Sequence, residues 1–225
     1  TLSSNIMKLL FLGCSWTYGD ELGKEYKERR FSTLIGKNLN AEVVNHSRCG
    51  FSNHAIARIF LEQDLEEYDF IFVQMTTPSR TEWYDPTGNF NKVKILEKLK
   101  SVSNERWKKR SLGKIKPSSN WDKIMPYKKQ FMCTGNLLDG KEWWQHYYEE
   151  IYTDEYGETE EMLIYNLIRN KLVVLNKKHV ISSINPSCKQ PIDINLRNNK
   201  YPLAKGGHPD PIGHIMISRD IMKLL

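Results

Sequence analysis

The chain has 225 residues, 40% of them hydrophobic and 27% charged, which suits one globular domain with a sizeable core. A net charge of +6 and a sequence pI near 9.0 are mildly basic, short of what marks a dedicated nucleic-acid binder. No apolar run approaches the length of a membrane span. The four cysteines, Cys14, Cys49, Cys133 and Cys188, lack paired metal-type spacing and read as reduced thiols of a cytoplasmic protein. Met7-Lys8-Leu9 has the look of a native start, which makes 7–225 one domain and Thr1–Ile6 a tail or vector residue.

The first element is the apolar run Lys8–Leu12, a buried strand that breaks into Gly13-Cys14-Ser15. Phe31, Leu34, Ile35 and Leu39 fall at helical spacing, and Ala41–Asn45 is a short β-branched strand. A polar loop, His46–Asn53, leads to a helix carrying Ile56, Ile59 and Phe60 that runs to near Glu67, with Ser52 or Asn53 as its cap. Tyr68–Met75 is apolar almost throughout, as a central strand would be. The order β-α-β-α-β with short connections predicts a parallel sheet covered by helices on both faces.

From Arg80 to about Gly157 the periodicity fades. This stretch, about 80–157, holds Trp83, Trp107, Trp121, Trp143 and Trp144, and Lys92–Lys129 is strongly basic while Glu149–Glu161 is acidic. It reads as an aromatic- and Lys-rich insertion near the strand ends. Its tryptophans suit either sugar stacking or a private core. Its charges suit a solvated face better than a nucleic-acid or polyanion site, because no groove motif accompanies them. Pattern returns with a helix over Glu160–Leu175, its stripe Ile164, Ile168, Leu172 and Leu175 and its cap Thr159, then a strand over His179–Ile184. Ser187–Leu203 reads as loop. Asp210 followed by Pro211 starts a last helix that buries Ile217, Ile221 and Leu224.

Ser15 follows the first strand, Gly50 the second, and His208 precedes the last helix, so a parallel sheet would bring the three to its C-terminal edge. A hydroxyl nucleophile needs a base, and histidine is the usual one. Backbone N–H groups at small-residue turns, such as Ser15 and Gly50, can hold the anion formed on attack. Cys14 is a weaker nucleophile candidate, since continued strand geometry would point it away from the serine's face. His46, His54, His146, His179 and His214 share no metal spacing, so neither a metal nor an organic cofactor is expected.

These blocks resemble the SGNH/GDSL hydrolase superfamily. Gly13-Cys14-Ser15 stands where that family has Gly-Asp-Ser. Asn45–Gly50 matches the asparagine-to-glycine spacing of its second block, and His208-Pro209 with Gly213-His214 is similar to its last. The resemblance covers about Met7–Met75 and Val180–Leu225 and leaves out the insertion. It implies a flavodoxin-like three-layer α/β/α sandwich with a central parallel sheet. It also implies a serine ester hydrolase acting on a small-molecule or glycan ester of a short acyl group such as acetyl; composition and charge separately argue against a membrane partner and disfavour a nucleic-acid one.

The implied catalytic pair is Ser15 and His208, and the oxyanion donors are Ser15, Gly50 and Thr77, with Thr76 or Asn53 as alternatives where the family has an asparagine. The family's acid position holds Lys205. Asp210 is better explained as a cap, and Asp193 is the first suspect for a replacement acid. The departures at Lys205 and Thr77 equally suit a non-catalytic protein on the same fold. Oligomeric state is left open.

Overall fold

The structure is a computed structural model and describes residues 6–80, 82–84, 131–133 and 152–225. Its elements in chain order begin with β1 (Lys8–Leu12), α1 (Ser15–Tyr18), a 3-10 turn (Lys24–Arg29), α2 (Phe31–Leu39) and β2 (Glu42–Asn45). There follow α3 (Asn53–Glu62), a 3-10 turn (Leu65–Glu67), β3 (Phe70–Met75), β4 (Glu82–Tyr84) and β5 (Phe131–Cys133). The chain continues with α4 (Asp154–Val174), β6 (Lys178–Ser183), β7 (Ile194–Asn195) and α5 (Pro211–Met222).

The main sheet is five-stranded and parallel, in the order β2-β1-β3-β6-β7. This is the order of a flavodoxin-like doubly wound sheet, with its switch point beside β1. All six residues of β3 are buried, as its central position requires. Right-handed crossovers from β1 to β2 and from β2 to β3 run in opposite directions, so α2 and α3 cover opposite faces. Helix α5 packs with α2, and α4 with α3. In register, Phe11 pairs with Phe72 and Leu9 with Phe70, so by the pleat these side chains share one face. There Phe11, Phe31, Phe70 and Phe72 form a chain of ring contacts at 5.4–6.2 Å. Each such buried ring contributes roughly 1.5–3 kcal/mol by area removed from water.

Element types follow the sequence pattern, and boundaries shift where capping chemistry decides them. Helix α4 begins at Asp154, six residues before the expected Glu160. Its cap is Thr153, whose Oγ1 accepts from the Tyr156 N–H at 3.1 Å, while Thr159 lies inside the helix and donates to the Glu155 carbonyl. Helix α3 stops at Glu62 instead of running to Glu67, and Leu65–Glu67 forms a separate turn capped by Asp64. Within the expected loop Ser187–Leu203 lies β7, whose two residues are too few to show a period. Leu224 falls beyond α5 and is largely exposed. Of the insertion, β4 and β5 form an antiparallel pair; most of its tryptophans and the basic stretch Lys92–Lys129 lie outside the described residues.

Among the described residues no helix is long and apolar enough to cross a membrane. Within the same set, no group of three or more His, Cys, Asp or Glu is placed to hold a metal ion.

Candidate active site

Where β1 ends, the backbone turns sharply at Cys14 and enters α1 with Ser15 as its first residue. The turn is tight because Gly13 has no side chain: a Cβ there would sit 2.6 Å from Thr17 Oγ1 and 2.9 Å from the Gln74 side chain. Gln74 reaches over from β3 and clamps α1, its Oε1 accepting from the Thr17 hydroxyl at 2.7 Å and the Thr17 N–H at 3.2 Å. Strand geometry therefore ends before Ser15, and the expected separation of Cys14 from the serine does not hold: Ser15 Oγ is 3.8 Å from Cys14 Sγ. The Cys14 thiol is fully buried and accepts from Gln74 Nε2 at 2.9 Å.

The second block is held by Asn45. Its Nδ2 donates to the Thr17 carbonyl at 3.2 Å and to Ser32 Oγ at 3.1 Å, and its Oδ1 accepts from the Ser47 N–H at 2.9 Å. This ties the loop after β2 to the turn that carries Ser15. Gly50 then takes φ 81, a conformation open to glycine at no steric cost. Asn53, buried at the start of α3, is bonded to Thr76 on both sides. Its Oδ1 accepts from the Thr76 N–H at 2.7 Å, and its Nδ2 donates to the Thr76 carbonyl at 3.2 Å. Thr77 follows, half-buried, its carbonyl accepting from the Arg80 N–H at 3.2 Å. The Thr76 hydroxyl is buried without a partner.

His208 Nε2 lies 2.9 Å from Ser15 Oγ. The two residues are 193 positions apart in sequence and meet across the sheet edge. On the other side of the ring stands Glu21, which sequence reasoning did not single out. Glu21 Oε2 accepts from His208 Nδ1 at 2.8 Å and from the His208 N–H at 3.1 Å, and Oε1 accepts from the Gly206 N–H at 2.7 Å. Burial works against the Glu21 charge, but the bonds from the His208 ring, the His208 N–H and the Gly206 N–H outweigh it and hold the carboxyl below its usual range. An ionised carboxylate only accepts, so Nδ1 carries the ring proton and Nε2 offers its lone pair to the serine hydroxyl.

Two backbone features make this contact possible. Glu21 has φ 65, rare for a residue with a side chain, and its three hydrogen bonds hold it there. Gly206 has no Cβ; one would collide with the Glu21 carboxylate. Asp193, the first suspect for the acid, is excluded by its own bonds: Oδ2 accepts from the Ile181 N–H at 2.7 Å, which pins it between β6 and β7. Lys205 is exposed. Asp210 caps α5, its Oδ1 accepting from the Gly213 N–H at 2.7 Å. Asp20, next to Glu21, has Oδ2 3.9 Å from His208 Nε2. The Cys49 thiol bonds to Asp20, and its ionisation is disfavoured first by burial and then by that carboxylate.

His214, four residues into α5, has a different use. Its Nδ1 accepts from the Phe31 N–H at 3.3 Å, completing the start of α2 from a distant element, and its ring stacks on Phe31 at 5.5 Å. Burial, with the charge of Arg30, lowers its pKa to about 3. It is therefore a neutral acceptor.

A doubly wound α/β protein with a serine, a histidine and a carboxylate in line at the C-terminal edge of its sheet: that is the class the fold and the site define, and its fold resembles that of the SGNH/GDSL hydrolases. No protein-family model matches the sequence, and no curated protein matches it. Solved structures similar in fold include a lipase from a goat rumen metagenome, 13% identical with a TM-score of 0.45, covering 97% of this chain and 97% of that one. Another is a member of the lipolytic G-D-S-L family from Veillonella parvula, 11% identical with a TM-score of 0.38 over 96% and 97% of the two chains. A third is a catalytic mutant of an acetylxylan esterase from Geobacillus stearothermophilus, 12% identical with a TM-score of 0.36 over 96% and 93%. The chain's own strand order and register define its fold.

Proposed function

We propose that the protein is a serine ester hydrolase of the SGNH type, in which Ser15 is the nucleophile, His208 the general base and Glu21 the acid that orients it. The observation that carries this reading is the unbroken line from Ser15 Oγ through His208 to the Glu21 carboxylate, at 2.9 Å and 2.8 Å.

Ser15 Oγ attacks the ester carbonyl carbon as its proton passes to His208 Nε2, and the carbonyl π electrons move to oxygen. Glu21 stabilises the imidazolium so formed without taking its proton. Collapse of the adduct breaks the bond to the alcohol oxygen, which leaves with the proton from Nε2. Water attacks the acyl-enzyme in the same way, its proton going to His208 and then to the departing Ser15 oxygen. The oxyanion is held by the N–H groups of Ser15 and Gly50, two small-residue turns that Asn45 joins. Thr77 contributes its hydroxyl. Asn53, already bonded to the Thr76 backbone at both amide atoms, sets the position of Thr76–Thr77 relative to Gly50.

The substrate is a short acyl ester, acetyl being the first choice, on a small molecule or a glycan. The test is hydrolysis of 4-nitrophenyl acetate and butyrate, with labelling of Ser15 by a fluorophosphonate. Turnover and labelling are expected in the wild type and absent in Ser15→Ala. A folded wild type that neither turns over nor labels refutes the reading in favour of a non-catalytic protein on this fold.

A further inference from the structure

On the β2 side of the nucleophile, two arginines gather around one tyrosine. The guanidinium carbon of Arg30 lies 5.2 Å from the centre of the Tyr18 ring, and that of Arg48 lies 5.9 Å from it. Tyr18 is three residues past Ser15, on the same turn of helix. Among the described residues neither arginine forms an ion pair; Arg48 spends Nη1 on the neighbouring Ser47 carbonyl at 2.7 Å. Arg30 Nε is buried close to Gly19 and has no hydrogen-bond partner among the described residues. Burial lowers the Arg30 pKa; Tyr18, Cys49 and Glu28 oppose this, and the charge of Arg48 adds to it. Asp20, on the same stretch, is turned instead to Cys49 and His208.

Arg30 opens onto a cleft of about 470 Å³ whose lining includes Ser32, Thr33, Lys37, Asn40 and Asn45. Lys37 is paired with Glu28 at 2.6 Å, whereas Arg30 feels that carboxylate only at longer range and forms no ion pair among the described residues. Gly36, Ala41 and Val43 supply its apolar part, and the remaining polar groups are hydroxyls and amides, able to donate to an anion. Asn45 is the structural link to the chemistry, since the side chain that lines the cleft also holds the Thr17 carbonyl of the Ser15 turn. An arginine without an ion pair on a cleft that also carries hydroxyls and amides, with a second arginine across the same tyrosine ring, is an arrangement that an oxyanion group would complete.

We propose that this cleft is an anion subsite beside the catalytic serine, and that it takes a carboxylate, sulfate or phosphate group carried by the ester substrate. Arg30 is its principal ligand, and Arg48 adds positive field across the Tyr18 ring. The inference rests on the hydrolase reading only for the word substrate; the anion site itself is testable without turnover.

Inorganic sulfate is titrated into the protein at constant ionic strength against chloride, with melting temperature as the readout, in wild type, Arg30→Met and Arg48→Met. In parallel, kcat/KM for 4-nitrophenyl hemisuccinate is compared with that for the neutral butyrate. The expected result is a saturable rise with sulfate in the wild type that Arg30→Met abolishes and Arg48→Met weakens. The hemisuccinate-to-butyrate ratio should fall about tenfold or more in Arg30→Met, a loss of one charge-assisted contact. A wild type indifferent to sulfate overturns the proposal, even if both esters are cleaved. So does a sulfate response that survives in both variants, which would place the anion elsewhere. A sulfate response lost as expected, in a protein that cleaves neither ester, upholds the subsite and removes the hydrolase reading.

Discussion

Exchange of Glu21 for glutamine tests the catalytic assignment with least disturbance, because the amide has nearly the carboxylate's shape and meets the same three donors. In the native site Oε2 accepts two hydrogen bonds from His208 and Oε1 accepts one from Gly206. An amide offers one acceptor and one donor position. With its NH2 group toward His208 it faces two N–H groups, and the ring escapes by moving its proton to Nε2. That nitrogen then donates to Ser15 and cannot take its proton. With the NH2 group toward Gly206 the tautomer survives, but the negative charge opposite the imidazolium is gone. The loss in kcat is therefore bracketed between about 10² and about 10⁴, or about 2.7–5.4 kcal/mol of barrier. The assay is kcat and KM on 4-nitrophenyl butyrate, with fluorophosphonate labelling rate and melting temperature on the same preparation. Labelling should slow in proportion to kcat while the melting temperature stays close to that of the wild type. A loss of less than tenfold in a folded protein would refute the role assigned to Glu21.

Gly206→Ala should act on the same carboxylate from the other side, because its Cβ must displace Glu21; turnover should fall by about 10²-fold, as for a misplaced catalytic group, with the aryl ester assay as the check. Asp210→Ala removes the α5 cap and should cost about 0.5–2 kcal/mol in a urea melt. His214 makes stability depend on pH. Its folded pKa, about 3, is below the value of about 6.5 in the unfolded chain, so the unfolded state takes up the proton first as pH falls. Stability is full above the unfolded value and declines below it, by about 2 kcal/mol between about pH 7 and about pH 5. Urea midpoints at those two pH values, compared with His214→Gln, should show that share of the decline vanish in the variant; an unchanged decline would show that His214 is not its source.

Residues acting through near neighbours were legible in the sequence. The apolar runs of β1 and β3 state their own burial, and Asp210 and the candidates Ser52 or Asn53 announce α5 and α3; the Asn45–Gly50 spacing carried a resemblance, while the ties that Asn45 makes to the first turn appear only in the structure. The alternation of strands and helices implied a parallel sheet, and with it one edge for Ser15, Gly50 and His208; the strand order, in which the chain passes from β2 over β1 to β3, came only with the fold. Glu21 could not. Its partners are Gly206 and His208, 185 and 187 residues away, and its reach depends on a positive φ that no local pattern encodes. Asp193 was the first suspect because a loop preceding His208 could have carried it in, yet its bonds to Ile181 beside β7 tie it into the sheet. His214 likewise reads as one more helix residue until α2 arrives beside it with an unsatisfied N–H. Sequence fixes what a segment can offer, through period, caps and side-chain chemistry; which offered groups meet is decided by chain paths far apart in number, and only the packed fold brings a carboxylate to a histidine across that distance.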